Sequence, residues 1–207
     1  MTDNYFTIAA CVQAEIKIER SRFIGTALPV SSKTAAEEEY HLLQKKYHDA
    51  THNCFAYVTG KNLDNVFRFS DDGEPSGTAG KQIYETIQSR KLTDILVVVT
   101  RYYGGVKLGT GGLSRAYREA ANAALDQAAV VECFLMQTCK LIFAHEQVSA
   151  VMKVMSDFNL KPIETHYGEE VELTATIRLG LFKQFRLAVI DRTHGKAIVE
   201  SMGGAHD

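Results

Sequence analysis

Three carboxylates lie close together in the stretch "SDDGEPSGTAGK", residues 70–81. Asp71, Asp72 and Glu74 could bind a hard cation such as Mg²⁺ or act as an acid and a base, since both chemistries need neighbouring carboxyl groups. The glycines and the proline around them favour a tight turn, because glycine permits unusual backbone angles and proline fixes φ. We therefore favour a structural turn over catalysis.

A second stretch, "RYYGGVKLGTGGLSRAYREA" at residues 101–120, places a glycine-rich turn between a buried strand and a helix. Backbone N–H groups are free at a helix start, and the positive end of the helix dipole attracts anions. Arg101, Lys107 and Arg115 add positive charge there. Phosphate, for example from a nucleic-acid backbone, is the ligand that this chemistry favours, whereas close packing of two backbones is the structural alternative.

A Walker-type nucleotide loop is not expected, although Lys81 follows Gly80. Pro75 occupies the position of the first glycine, and Gln82 replaces the Ser or Thr that would reach magnesium.

Charge is distributed unevenly along the chain. The formal net charge is -2, yet residues 78–118 contain seven basic and two acidic residues, a local balance of +5. We predict that phosphate or nucleic acid binds this segment. The predicted contact residues are Lys81, Arg101, Lys107, Gly109, Gly111, Gly112, Arg115 and Arg118, with Asp71, Asp72 and Glu74 as supporting carboxylates.

The two glycine-rich stretches should lie side by side at one end of the first domain, because ligand sites gather where such loops leave strand ends. On this hypothesis, Asp71 or Asp72 orients Arg101 or Arg115 by a charge-assisted hydrogen bond.

The stretch "YHDATHNC" contains His48 and His52 at i, i+4 spacing, near Asp49 and Cys54, and all four side chains could bind a metal. A strand-like run follows at once, so the imidazoles need not converge. We favour a structural junction in which the histidines hydrogen-bond to backbone. The four cysteines form no CxxC pair, and we expect no metal, no cofactor and no catalytic residue.

These motifs need a framework of strands and helices. In the first half, "RFIGTALPV", "NCFAYVT" and "DILVVVTRYY" predict strands, and residues 60–80 a loop. Helices are predicted after an N-cap at Ser31 or Ser32, near residues 79–90, and after the glycine-rich turn. The last of these places one set of residues on a single face: Leu113, Ala116, Tyr117, Ala120 and Ala124.

The second half predicts strand, helix, strand, strand, helix, strand, the ferredoxin-like split βαβ order. Its strands include "CFLMQTCKLIFA", a hairpin around Gly168 and "KAIVESM". The second hairpin strand alternates apolar and polar residues from Val171 to Leu179. Helices are predicted around Met155 and Phe185. We therefore predict an α+β protein with two domains, residues 1–130 and 131–207.

The stretches "SRFIG", "HDATHNCFAY", "SDDGEPSGTAGK", "VVVTRYYGG" and "LGTGGLSRAY", in this order and spacing, resemble the signature of the YigZ/IMPACT family over about residues 17–125. The resemblance implies a βαβ-type N-terminal domain similar to domain IV of elongation factor G, and a ferredoxin-like domain similar to its domain V. It implies RNA or the ribosome as partner, possible contact with a translation-regulatory protein, and no established catalytic residues.

Two features limit what the resemblance implies. Eukaryotic members inhibit a stress kinase through an additional N-terminal RWD domain, for which there is no room ahead of the motifs here. Gln82 and Tyr84 stand where family sequences often have proline and an aliphatic residue.

Our leading functional hypothesis is a non-catalytic protein that binds RNA or the ribosome and modulates translation or its stress regulation. The alternative is an enzyme that binds a nucleotide or another small molecule with the glycine-rich turn and the Asp71, Asp72 and Glu74 carboxylates. A protein-interaction module using the open sheet face of the second domain is a third possibility. The longest aliphatic run, residues 95–99, is too short to span a bilayer, and no signal peptide is evident, so we expect a cytoplasmic protein without membrane contact.

Overall fold

The computed structural model describes residues 3–60 and 65–202, which divide into two units. The first unit runs from Tyr5 to Cys133, and the second contains the described residues from Phe134 onward together with residues 3–4. Residues 61–64, inside the predicted 60–80 loop, lie outside the described residues.

The first unit is built on a five-stranded sheet in which every neighbouring pair is antiparallel, in the order β2-β3-β6-β4-β5. Strand β1 pairs instead with β7. The elements are β1 (Asn4–Ile8), β2 (Val12–Ile18), β3 (Ser21–Pro29), α1 (Lys33–Lys46), β4 (His52–Thr59), β5 (Val66–Ser70), α2 (Gly80–Ser89), β6 (Ile95–Tyr102), α3 (Gly109–Leu125) and β7 (Val130–Phe134).

Helices cover both faces of this sheet. Alternate residues of β4 and β6 point to opposite faces, so Phe55 and Val98 pack with α1, whereas Ala56 and Val97 pack with α2 and α3. Because β6 lies between β3 and β4, the segment β3-α1-β4 is a split βαβ unit, and β5-α2-β6 is another.

Helix α3 lies directly on β3, and this position places its N-terminus beside the end of β6. A Cβ atom added to Gly25 of β3 would lie 2.4 Å from the carbonyl oxygen of Ala120, so the close approach requires glycine. The buried side of α3 includes every residue that the 3.6-residue period placed there: Leu113, Ala116, Tyr117, Ala120 and Ala124.

The second unit has the ferredoxin-like arrangement, and the α+β fold class is thereby confirmed. Its elements are β8 (Met136–Phe143), α4 (Val148–Asp157), β9 (Pro162–Tyr167), β10 (Val171–Arg178), α5 (Leu179–Arg192) and β11 (Ile198–Ser201). The sheet order is β11-β8-β10-β9, with every neighbouring pair antiparallel. Burial alternates residue by residue along β10, as its sequence predicts.

Several boundaries differ from the sequence prediction. Residues 66–70 of the predicted loop form the edge strand β5, and the predicted strand through residues 133–144 is interrupted at Leu135, between β7 and β8. Leu179 begins α5 instead of ending β10. Among the residues described, no helix has the length and apolar character needed to cross a membrane.

A candidate anion-binding site in the first unit

The two glycine-rich stretches meet around a cleft of about 270 Å³. Glu74 and Pro75 from the first stretch form one wall. The second stretch contributes Arg101, Tyr103, Leu113 and residues 107–110. The stretches therefore lie side by side, at the end of β6 and the beginning of α3.

A buried ion pair joins the two walls. Arg101 Nη1 donates to Glu74 Oε1 at 2.5 Å, and the side chains are only 6% and 4% exposed. The hydroxyl of Tyr117 donates to the same carboxylate oxygen at 2.8 Å. Burial, together with the nearby Cys54 and Glu74 side chains, raises the pKa of Tyr117, so the phenol keeps its proton and acts as a donor.

Arg101 retains one donor without an acceptor. Its Nε is buried and has no hydrogen-bond partner among the residues that the structure describes. The guanidinium carbon lies 5.4 Å from the ring centroids of both Phe23 and Tyr103, so aromatic rings hold its position without accepting this hydrogen bond. A buried N–H group left without an acceptor costs free energy, so this placement of Arg101 disfavours the free protein.

The N-terminus of α3 also lines the cleft, through Leu108, Gly109 and Thr110. Its N-cap is Leu108, no side chain caps it, and its first turn contains no acidic residue. Gly109 adopts φ +68°, a left-handed conformation that favours glycine. A Cβ added to Gly111 would approach only Arg115 Nη1, at 3.6 Å, so this cation reaches back to the first turn. A cation beside the positive end of a helix is unfavourable unless an anion binds there.

Asp71 and Asp72 have structural roles. The Asp71 carboxylate accepts hydrogen bonds from the backbone N–H groups of Gly77, Ala79 and Gly80 at 2.8–2.9 Å and thereby caps α2. The Asp72 carboxylate accepts from the backbone N–H of Asn53 at 2.6 Å. The prediction that one of these aspartates orients Arg101 or Arg115 was wrong, since Glu74 is the carboxylate that pairs with Arg101.

The predicted histidine junction is present. His52 Nδ1 lies 2.6 Å from the carbonyl oxygen of Asp72, and His48 Nδ1 lies 3.2 Å from that of Lys45. Because a carbonyl only accepts, each Nδ1 carries the proton in these bonds. His52 Nε2 is 4.0 Å from Glu74 Oε1, so this ring extends the buried network. Within the described ranges, no cluster of three or more His, Cys, Asp or Glu residues could hold a metal ion.

The seven basic residues do not converge on one point. Arg101 and Lys107 line the cleft, and Arg115 lies along the first turn of α3. Outside the cleft lining, Lys81 and Arg118 both pair with Glu85. Arg90 pairs with Asp126 at 2.5 Å. The +5 balance of the segment therefore overstates the charge at the site.

Sequence reasoning missed several site residues. Tyr103 lines the cleft with 44% of its surface exposed, and Pro75, Leu108 and Thr110 complete the wall. Tyr117 was predicted to be buried, but its bond to Glu74 was not. One signal was available, because a buried tyrosine hydroxyl usually needs a polar partner.

Comparison with known proteins identifies the protein family to which the chain belongs. The family model described as the Impact N-terminal domain matches residues 19–125. The IMPACT family member YvyE of Bacillus subtilis is 37% identical over 200 residues, covering 97% of this chain and 92% of that protein. YigZ of Escherichia coli, also an IMPACT family member, is 31% identical over 194 residues, covering 93% of this chain and 95% of that protein. The chain therefore belongs to the IMPACT family.

The similarity to eukaryotic relatives is more limited. Protein IMPACT of Xenopus laevis is 37% identical over 98 residues, which cover 45% of this chain and 31% of that protein. A crystal structure described only as that of a hypothetical protein has a TM-score of 0.73, 29% identity and 98% coverage of both chains. The fold is thus shared over nearly the full length with a protein of undescribed activity.

Proposed function

We propose that this protein is a non-catalytic RNA-binding protein that acts on the ribosome in the cytoplasm and modulates translation. The observation that carries the proposal is a cleft lined by Arg101, Lys107 and the N-terminus of α3, which no side chain caps. Besides RNA and the ribosome, we propose a translation-regulatory protein as a partner.

Phosphate is the group that this cleft suits best. Arginine and helix N-termini both donate several N–H groups toward one anion, and such bonds are about twice as strong as those between neutral groups. Lys107 adds a cation on the same wall. Because Glu74 neutralises the charge of Arg101, the attraction for phosphate comes mainly from Lys107, Arg115 and the α3 N-terminus.

RNA with unpaired bases is favoured over duplex DNA. The exposed ring of Tyr103 lies at the cleft, where a base released from a duplex can stack on it. The net charge is -2, and Lys81, Arg90 and Arg118 are each paired with a carboxylate, so these three residues do not extend the positive charge of the cleft into the kind of basic track that follows duplex phosphates.

The test is the binding of a labelled single-stranded RNA measured by fluorescence anisotropy at several salt concentrations. Each neutralised phosphate contributes about -0.7 to the slope of log K against log salt, so contacts from Lys107 and Arg115 predict a slope of about -1.4. No binding at low salt, or binding that salt does not change, would refute the proposal.

Variants locate the contact. Lys107→Ala removes an exposed charge and should lower the slope by about one contact. Arg101→Lys keeps a cation opposite Glu74 but removes the guanidinium donors, so it should weaken binding with little change in the slope. Arg90→Ala is the matched control, because Arg90 pairs with Asp126 away from the cleft. Sedimentation with ribosomes, repeated with Lys107→Ala, tests the partner.

A second candidate is an enzyme that binds a nucleotide, which the buried Glu74 carboxylate at the cleft favours. Asp71 and Asp72 do not contribute to this candidate, because their carboxylates accept backbone N–H groups. A nucleotide at a hundred times its dissociation constant should stabilise the protein by about 2.7 kcal/mol. The absence of a thermal shift with every nucleotide, with and without Mg²⁺, would exclude it.

A further inference from the structure

We propose that the cleft recognises the terminal phosphate monoester of an RNA strand in preference to an internal phosphodiester. This inference rests on the proposed function, because it names the part of the RNA that enters the site. It follows from the enclosure of Arg101, the volume of the cleft and the balance of charge inside it.

Enclosure is the first argument. Arg101 lines the cleft and is only 5% exposed, so an anion that pairs with its guanidinium must enter below the surface of the protein. An internal phosphodiester carries two continuing strands, and both must leave the cleft. A terminal phosphate carries one strand, so it enters end-on and needs a single exit.

Volume is the second argument. Pockets that bury whole drug-sized ligands occupy about 300–1000 Å³. The cleft, at about 270 Å³, lies just below this range. It therefore has room for a phosphate and part of its ribose but not for a length of strand. Leu108, Leu113 and Pro75 give it an apolar wall suited to the carbon atoms of the sugar.

Charge is the third argument. A phosphate monoester carries about -1.5 to -2 at neutral pH, whereas an internal diester carries about -1. The Glu74 carboxylate repels both, and Lys107, Arg115 and the α3 N-terminus attract both. The monoester has the larger charge and a third free oxygen, so it gains more than the diester from Lys107, Arg115 and the N–H groups of the α3 N-terminus.

Tyr103, which lines the cleft, favours a nucleotide end over inorganic phosphate. Tyr103 is 44% exposed and can stack the terminal base, which is a sequence-tolerant contact. The 5′ and 3′ ends share the monoester chemistry, and the experiment separates them.

The experiment compares one RNA sequence as four molecules: with hydroxyls at both ends, with a 5′ phosphate, with a 3′ phosphate, and with the phosphate of the tighter end blocked as its methyl ester. We expect one phosphorylated end to bind at least about tenfold tighter than the hydroxyl form, and the methyl ester to lose most of that gain. Lys107→Ala should abolish the preference, whereas Lys91→Ala, an exposed lysine outside the cleft lining, should keep it.

The outcomes distinguish the inference from the proposed function. Equal affinity for all four molecules overturns the inference while RNA binding stands. A failure of all four to bind overturns the proposed function as well. If adenosine monophosphate competes for the cleft with the same affinity as the phosphorylated RNA, the ligand is a free nucleotide and not an RNA end, and the inference is overturned.

Discussion

Replacing Glu74 with glutamine should destabilise the first unit and strengthen anion binding at the same time. Glutamine has nearly the same shape, and its single amide oxygen can still accept from Arg101 and Tyr117, as Glu74 Oε1 does. The substitution therefore removes the charge and keeps the geometry.

The loss of stability follows from burial. Arg101 and Glu74 are 6% and 4% exposed, so Arg101 becomes a buried cation without a counter-ion. Removing one partner of a buried pair costs about 3–5 kcal/mol, and the retained hydrogen bond places this case near about 3 kcal/mol. The control is Glu85→Gln, whose exposed pairs with Lys81 and Arg118 should be worth no more than about 1 kcal/mol.

The gain in affinity follows from Coulomb's law. A phosphate bound in the cleft roughly 6 Å from the Glu74 carboxylate would be repelled, at an effective dielectric constant of about 20, by up to about 3 kcal/mol for each phosphate charge. Screening reduces this value, so we expect RNA or phosphate to bind at least about tenfold tighter to Glu74→Gln.

The assay is urea unfolding of the full chain with and without inorganic phosphate, followed by RNA binding of both variants. Glu74→Gln should unfold at lower urea and gain more stability from phosphate than the unchanged protein does. A variant as stable as the unchanged protein, with weaker binding, would refute the assignment of Glu74 as the buried counter-ion of an anion site.

Three further predictions test the framework. Asp71→Ala leaves three backbone N–H groups without their acceptor and should lower the unfolding free energy by about 2–3 kcal/mol in urea titration, with an unchanged midpoint arguing against the cap. Gly111→Glu should stabilise α3 by about 1 kcal/mol, because the new side chain has room and improves helix propensity. It should also abolish RNA binding, because it brings a carboxylate beside Arg115 and the helix N-terminus. Gly111→Ala is the uncharged control, and RNA binding retained by Gly111→Glu would contradict the site. A hydrogen bond from Arg178 lowers the pKa of Asp3 to about 2, below its unfolded value, so its contribution to stability is present above about pH 4 and is lost as pH falls toward about pH 2. Asp3→Asn should flatten that part of the acid unfolding curve, and an unchanged curve would contradict the pairing.

Much of the fold could be predicted because the relevant signals are local. The alternation along residues 171–178 and the buried stripe of α3 are repeated at the periods of a strand and a helix. The edge strand β5 was missed because its aromatic residues are exposed: Phe67 and Phe69 pack against Tyr84 without entering the core. Edge strands of this kind are short and weakly patterned.

The sequence predicts where the cleft lies but not which carboxylate pairs with Arg101. Glycine spacing and the strand-to-helix transition identify the cleft, since both depend on neighbouring residues. Which carboxylate meets Arg101 depends on a contact between residues 27 positions apart, and three acids within four residues are equivalent in sequence. The charge count failed for the same reason, because Arg90 is neutralised by Asp126, which is 36 positions away.

The arrangement at the α3 N-terminus connects stability with function. An acidic residue in the first turn would stabilise the helix by about 0.3–1 kcal/mol, yet the first turn has none and Arg115 reaches back toward it. Nearby, Arg101 keeps a buried donor without an acceptor. Both features disfavour the free protein, and an anion bound at the cleft would relieve the first of them, since it would neutralise the helix end and Arg115. On the proposed function, the free energy released at the helix end would add to the affinity, so the cleft would need few cations to bind a phosphate.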